Sequence, residues 1–150
     1  MKKEIIFLML ASFIILLTLH INAQDEKGTI KIEVYGFEND DGMARILLFS
    51  TKEKESFPSE HTKAMDRKVV PIKNKKVIFE FKDLNYGDYA ISVHHDVNND
   101  GKVNTNFVGI PKEGLGASND AKGFMGPPSF DKAKVSLKSK MLVLKINIVN

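Results

Sequence analysis

The sequence predicts an all-β fold, an antiparallel two-sheet sandwich of about seven strands with one long ordered loop. Three observations predict it. Apolar and polar residues alternate in segment after segment, the period-2 pattern of half-buried strands. Clusters of Gly, Asn, Asp and Pro punctuate those segments. No long amphipathic helical period interrupts them.

The body follows a leader. Lys2 and Lys3 precede an apolar run from Ile5 to Leu19, broken only by Ser12 and Thr18, and Ala23 offers a small residue before Gln24. That is the layout of a secretory signal peptide over residues 1–23. The run falls short of the roughly 20 apolar residues that a membrane span needs. The expectation is therefore a periplasmic or secreted protein with one domain over residues 24–150 and no membrane span after cleavage. The chain has no cysteine, so it offers neither a thiol for a lipid anchor nor a disulfide. A body of this length can bury an adequate core without staples. The formal net charge is only +3, and the lysines lie among acids, as in Lys52-Glu53-Lys54-Glu55. Nucleic acid needs clustered positive charge, so no nucleic-acid partner is expected.

In chain order, Ile30, Ile32 and Val34 alternate with Lys31 and Glu33 in a first strand. Asn39-Asp40-Asp41-Gly42 is turn chemistry, and Met43 to Ser50 follows as a second strand, so the pair reads as a hairpin. Thr51 to Asp66 is a charged surface connection with one helical turn around Glu60 to Met65. Arg67 to Ile72 is a short strand, which Pro71 places at an edge or a strand end. Asn74-Lys75 turns the chain into Lys76 to Phe81, where Val77, Phe79 and Phe81 share a face. Leu84 to Tyr89 suits a tight corner: Gly87 supplies backbone freedom, and Tyr89 packs inward with its hydroxyl placed to tie the corner down. The corner resembles that of immunoglobulin-like and transthyretin-like sandwich modules. Ile91 and Val93 continue the strand beyond it. Lys134 to Leu137 and Met141 to Val149 supply the last strands; Leu142, Leu144, Ile146 and Ile148 share a face, and Val143 and Val149 predict a partly covered opposite side.

Between these strands lies the stretch on which function would depend, His94 to Phe130, far longer than the usual connection of about 4–6 residues. Asp96-Val97-Asn98-Asn99-Asp100-Gly101 fits the front half of a calcium loop. Such a loop points every second side chain at the ion, so Asp96, Asn98, Asp100, the Lys102 carbonyl and Asn104 form the candidate ligand set. The final position, where a carboxylate should bind with both oxygens, is Phe107. The Ca²⁺ site expected is therefore weak, unless Glu113, Asp120 or Asp131 folds back to complete it. Asn99-Asp100-Gly101 also makes a plain hairpin turn, and the residues leave both readings open. His94 and His95 point to opposite faces of a strand, which argues against a shared zinc ion. His95 with Asp96 is the alternative, an acid–base pair of an envelope enzyme; a simpler role for His95 is a bond to a loop carbonyl. Gly109 to Asn119 completes no dinucleotide fingerprint, and no G-x-S-x-G surrounds Ser118. Phe124, Met125 and Phe130 are expected to pin the loop to the sandwich, the alternative being an exposed binding ridge.

Across nearly the whole body the chain resembles the secreted bacterial family known as domain of unknown function 2141. The residues that carry the resemblance are His95-Asp96, Asn98, Asp100-Gly101-Lys102, Thr105-Asn106-Phe107, Gly109 to Gly114, Gly116, Ser118-Asn119 and Gly126 to Phe130. The resemblance implies an exported β-sandwich with this loop as its hallmark, and it implies no established activity. The front of the loop is also similar to the calcium loop of dockerin modules, whose acidic last ligand is replaced here by Phe107. The sequence thus leads to an exported, non-enzymatic binding module. Its partner would be a cation, a glycan, or another envelope or extracellular surface.

Overall fold

The computed structural model describes residues 26–149, and the expected leader over residues 1–23 lies outside them. Among the described residues eight strands form: β1 (Lys27–Tyr35), β2 (Met43–Ser50), β3 (Asp66–Pro71), β4 (Lys76–Asn85), β5 (Gly87–Asp96), β6 (Leu115–Ala117), β7 (Val135–Leu137) and β8 (Met141–Asn147). They make a three-stranded sheet in the order β4-β1-β8 and a five-stranded sheet in the order β3-β2-β5-β6, with β7 also on β5. β6 and β7 lie in tandem along one edge of β5, opposite β2. The all-β, two-sheet prediction is met.

The wiring departs from expectation in two places. β1 and β2 are not a hairpin: β1 pairs with β4 and β8, whereas β2 pairs with β3 and β5. Alternation tells which face of a strand is apolar, not which strand lies beside it. The Asn39–Gly42 segment instead carries the chain from one sheet to the other. Gly42 has φ of +67°, and a Cβ there would overlap the Asp96 carbonyl, so only glycine fits this crossing. Second, the sandwich is not purely antiparallel, because β1 and β8 run parallel, from Thr29 opposite Met141 to Tyr35 opposite Asn147.

The core between the sheets takes Ile30, Ile32 and Val34 from β1, Ile46 and Leu48 from β2, Ile91 and Val93 from β5, and Leu137 and Ile146 from the last strands. Each fully buried aliphatic side chain of this kind stabilises the fold by about 1.5–3 kcal/mol. The β4–β5 corner is as foreseen: Tyr89 is buried, and its hydroxyl donates to the Asn85 carbonyl at 2.7 Å. Val143 on β8 and Val149 just beyond it are each about half exposed, so the second side is partly covered, as expected.

The outer face of the five-stranded sheet is covered at one end by a second apolar cluster of Phe49, Phe57, Ala90, Ala117, Phe130 and Ala133. Phe57 meets Phe49 and Phe130 edge-on, with ring centroids 5.4 and 6.2 Å apart. The segment after β2 reaches this cover through a 3₁₀ helix, Thr51–Ser56, capped reciprocally by Ser50 and Glu53; a second 3₁₀ turn, His61–Lys63, stands where a helical turn was expected. The return of the long excursion supplies the rest through a single α-helical turn, Phe130–Ala133. Buried Ser118 staples the layers together: its hydroxyl donates to the Ala133 carbonyl at 2.6 Å and accepts from the Ile91 N–H at 2.9 Å. The other end of this same face is polar.

Candidate functional site

Strand alternation builds the polar end. In the β2–β5 register Arg45 stands opposite His94, and Met43 opposite Asp96, all on the outer face. Ala44 stands opposite His95 on the inner face. His95 is accordingly 1% exposed, its Nε2 donates to the Asp41 carbonyl at 3.0 Å, and its ring meets Phe37 edge-on. The histidine role is therefore the loop-carbonyl one. The acid–base pair of His95 and Asp96 is not assembled, because neighbouring strand residues face opposite ways and each has its own partner.

Asp96 is completely buried where β5 becomes loop. Its Oδ2 accepts from Arg45 Nε and from the Gly101 N–H. Its Oδ1 has no partner, which among the described residues is true of no other buried side-chain nitrogen or oxygen. Burial pushes the Asp96 carboxyl up, but the Arg45 guanidinium and the Gly101 N–H outweigh it and hold the group below its ordinary value. From Asp96 the chain folds over itself. Asn98 Oδ1 accepts from the Asp100 N–H at 3.1 Å, and Asp100 Oδ1 accepts from the Lys102 N–H at 2.8 Å. Asp100 Oδ2 accepts from the side-chain amides of Asn98 and Asn104 at 3.1 and 3.3 Å. The Lys102 N–H, more than any other contact, keeps the Asp100 carboxyl ionised below its ordinary range. All five candidate ligands thus belong to one compact turn, with Asp96 at its buried base and Asn98 and Asp100 at its exposed rim.

Glu113 closes the turn from behind. Its Oε1 accepts from the Val97 N–H at 3.1 Å; its Oε2 accepts from the Asn104 N–H at 2.9 Å and lies 2.9 Å from His94 Nε2. Burial raises this carboxyl too, and the Asn104 N–H, His94 and the Val97 N–H together bring it below its ordinary value. Of the three acids that could fold back, only Glu113 reaches the turn, where its oxygens clamp backbone N–H groups. Asp120 instead binds Asn147 through both oxygens, and Asp131 lies within the Phe130–Ala133 turn. Among the described residues, no group of three or more His, Asp or Glu side chains converges on a metal-sized site.

Sequence reasoning passes over Arg45 and offers Glu113 only as one of three acids that could fold back. Arg45 is the lone charge inside the apolar strand MARILLFS, and that is its available signal. Glu113 has none, since nothing in its spacing separates it from Asp120.

Beyond the turn, residues 104–112 form a small hairpin closed by a bridge between Thr105 and Pro111. Phe107 stands at its tip, fully exposed, with Val108 and Ile110 exposed beside it. The pinning expected of three apolar residues is performed by one. Phe130 is buried, but Phe124 and Met125 are 89% and 94% exposed. Phe130 opens a helical turn that faces the sheet, whereas Met125 sits at φ of +56° on a turn leading outward.

A family described as an uncharacterized protein conserved in bacteria, domain of unknown function 2141, matches residues 32–144 of this chain. The chain belongs to that family. The match runs from β1 to β8 and takes in the whole excursion. No curated protein and no solved structure gives a match. The family carries no described activity, so a reading of this domain of unknown function 2141 protein rests on its own residues.

Proposed function

We propose that the protein is an exported binding module whose Asp96–Asn104 turn takes a weakly held calcium ion and whose excursion meets a partner in the envelope or outside the cell. The leader layout over residues 1–23 supports export. One observation carries the calcium reading: Asp96 Oδ1 is buried and unpartnered, while the Gly101 N–H holds the other oxygen. Leaving such an atom unsatisfied costs about 1–3 kcal/mol, a cost that a hard cation removes. Asp96, Asn98, Asp100, the Lys102 carbonyl and Asn104 would hold the ion, and their donors are oxygens, as calcium prefers. With two carboxylates the affinity falls in the range of about 10⁻⁴–10⁻³ M.

A second reading is favoured by Arg45. Its guanidinium already bonds Asp96 and lies 3.4 Å from the point where a Gly101 Cβ would stand. In that reading the arginine is the turn's built-in cation and no metal is needed. Thermal melting in EDTA and in about 10 mM calcium, well above that affinity range, separates the two. At that concentration the calcium reading expects a gain of about 1.4–2.7 kcal/mol, or about 4–8 °C in Tm. Asp96→Asn combined with Asp100→Asn should abolish the rise, and Arg45→Gln should enlarge it. Equal melting temperatures in EDTA and in calcium, for the unmodified chain and for Arg45→Gln alike, would leave the arginine reading standing.

A further inference from the structure

The hairpin of residues 104–112 ends in an apolar tip where most of the backbone N–H groups are bonded within the hairpin itself. The Val108 and Ile110 N–H groups both donate to Asn106 Oδ1 at 3.0 Å. The Gly109 N–H donates to the Asn106 carbonyl at 3.0 Å, and the Asn106 N–H to the Ile110 carbonyl at 2.8 Å. Lys112 N–H closes the base on the Asn104 carbonyl at 2.8 Å, and Pro111 has no N–H to satisfy. Asn106 thus folds four residues around its own side chain and turns Phe107, Val108 and Ile110 outward.

A single exposed apolar residue is ordinary, but Phe107, Val108 and Ile110 are exposed side by side, and a contiguous apolar patch marks an interaction surface. We infer that this tip inserts into the interfacial region of an anionic lipid bilayer. Backbone entering an apolar phase needs its N–H groups satisfied; those of Asn106, Val108, Gly109 and Ile110 are bonded within the hairpin, and the Phe107 N–H is left to the water and headgroups of the interfacial region. The charges at the base of the hairpin suit anionic headgroups. Lys102 and Lys112 are exposed there against one exposed carboxylate, Asp100, whose oxygens are bonded within the turn, while Glu113 is buried against His94 and backbone N–H groups. Lysine stems can lie along the interface while their ammonium groups reach the phosphates. A protein partner fits less well, because three side chains on one narrow tip fall well short of the roughly 800 Å² that each side of a stable protein pair buries. A fluid lipid surface requires no matching groove. The inference rests on the excursion being a binding surface, and it does not require the calcium ion.

The sequence contains no tryptophan, so Phe107→Trp gives a single fluorescent reporter at the tip. Both sheets and both apolar clusters close within residues 26–149, so the chain from Gln24 onward is the material to use. Vesicles of phosphatidylglycerol mixed with phosphatidylcholine should shift the indole emission of the Phe107→Trp variant to the blue, and pure phosphatidylcholine should do so much less. In co-sedimentation, Phe107→Ser with Ile110→Ser should weaken binding about tenfold or more. Lys102→Glu with Lys112→Glu should weaken it in a way that salt mimics. The exposed positions leave Tm as an independent check that these variants fold. No blue shift with anionic vesicles, or equal sedimentation of the serine variant, overturns the inference. An indole shift produced by a protein or a glycan but by no vesicle does so too, while the calcium result stands or falls separately by melting.

Discussion

The outer face of the five-stranded sheet is covered in two different ways, and the contrast explains how one excursion can be both anchored and available. At the end near Phe49 and Ala90, the excursion returns to the sheet with Phe130 and Ala133 and is held by apolar contact. At the end near Arg45 and Asp96, it departs from the sheet and is held by directional bonds to Glu113, Gly101 and Arg45. Apolar cover is indifferent to pH and salt over wide ranges. Bonds to carboxylates are not. The excursion therefore has a permanent hold at its return and a conditional one at its departure, and the exposed hairpin of residues 104–112 lies next to the conditional one.

This contrast can be broken from either side. Phe130→Ala should have the largest effect, about 3–5 kcal/mol, because it leaves a cavity against Phe57. Thermal or urea unfolding measures it; a loss under about 1 kcal/mol, far below the usual cost of such a truncation, would mean that the return is anchored by other means. Glu113→Gln should cost less, about 1–3 kcal/mol. It should also loosen residues 97–112 selectively, so hydrogen exchange should quicken at Val97 and Asn104 while the Ile91 amide, bonded to Ser118, stays protected. Uniform loosening would remove the distinction between the two holds.

Acid should give the smallest effect and the most local one. Asp96 and Glu113 both have lowered pKa values in the folded protein. Their stabilisation is complete above the ordinary carboxylate range of about pH 4 and is lost as pH falls through their folded values. Amide chemical shifts of Val97, Gly101 and Asn104 should therefore move together below that range, before those around Phe130. Simultaneous movement of both ends would show a single cooperative unit.

Much of this is readable in the residues themselves. Ile30, Ile32 and Val34 announce their strand, and Leu84 to Tyr89 announce the corner, because local spacing carries that information. The partner of each strand is not readable: nothing in Met141 to Asn147 says that β8 lies parallel to β1. β6 escapes notice because Leu115-Gly116-Ala117 is too short to alternate visibly. Period-2 reasoning correctly separates His94 from His95. It cannot bring Arg45 to Asp96, a contact between residues 51 positions apart. Phe124 and Phe130 are chemically identical, yet only one is buried. The fate of an aromatic side chain in a long excursion is set by where the backbone turns, which composition does not record.

The parallel neighbours β1 and β8 have a consequence for how the molecule comes into being. The first strand of the body stays without one of its flanking partners until residue 147 has been synthesised, so the smaller sheet is completed only after the strands of the larger one have been made. Contacts this distant in sequence slow folding.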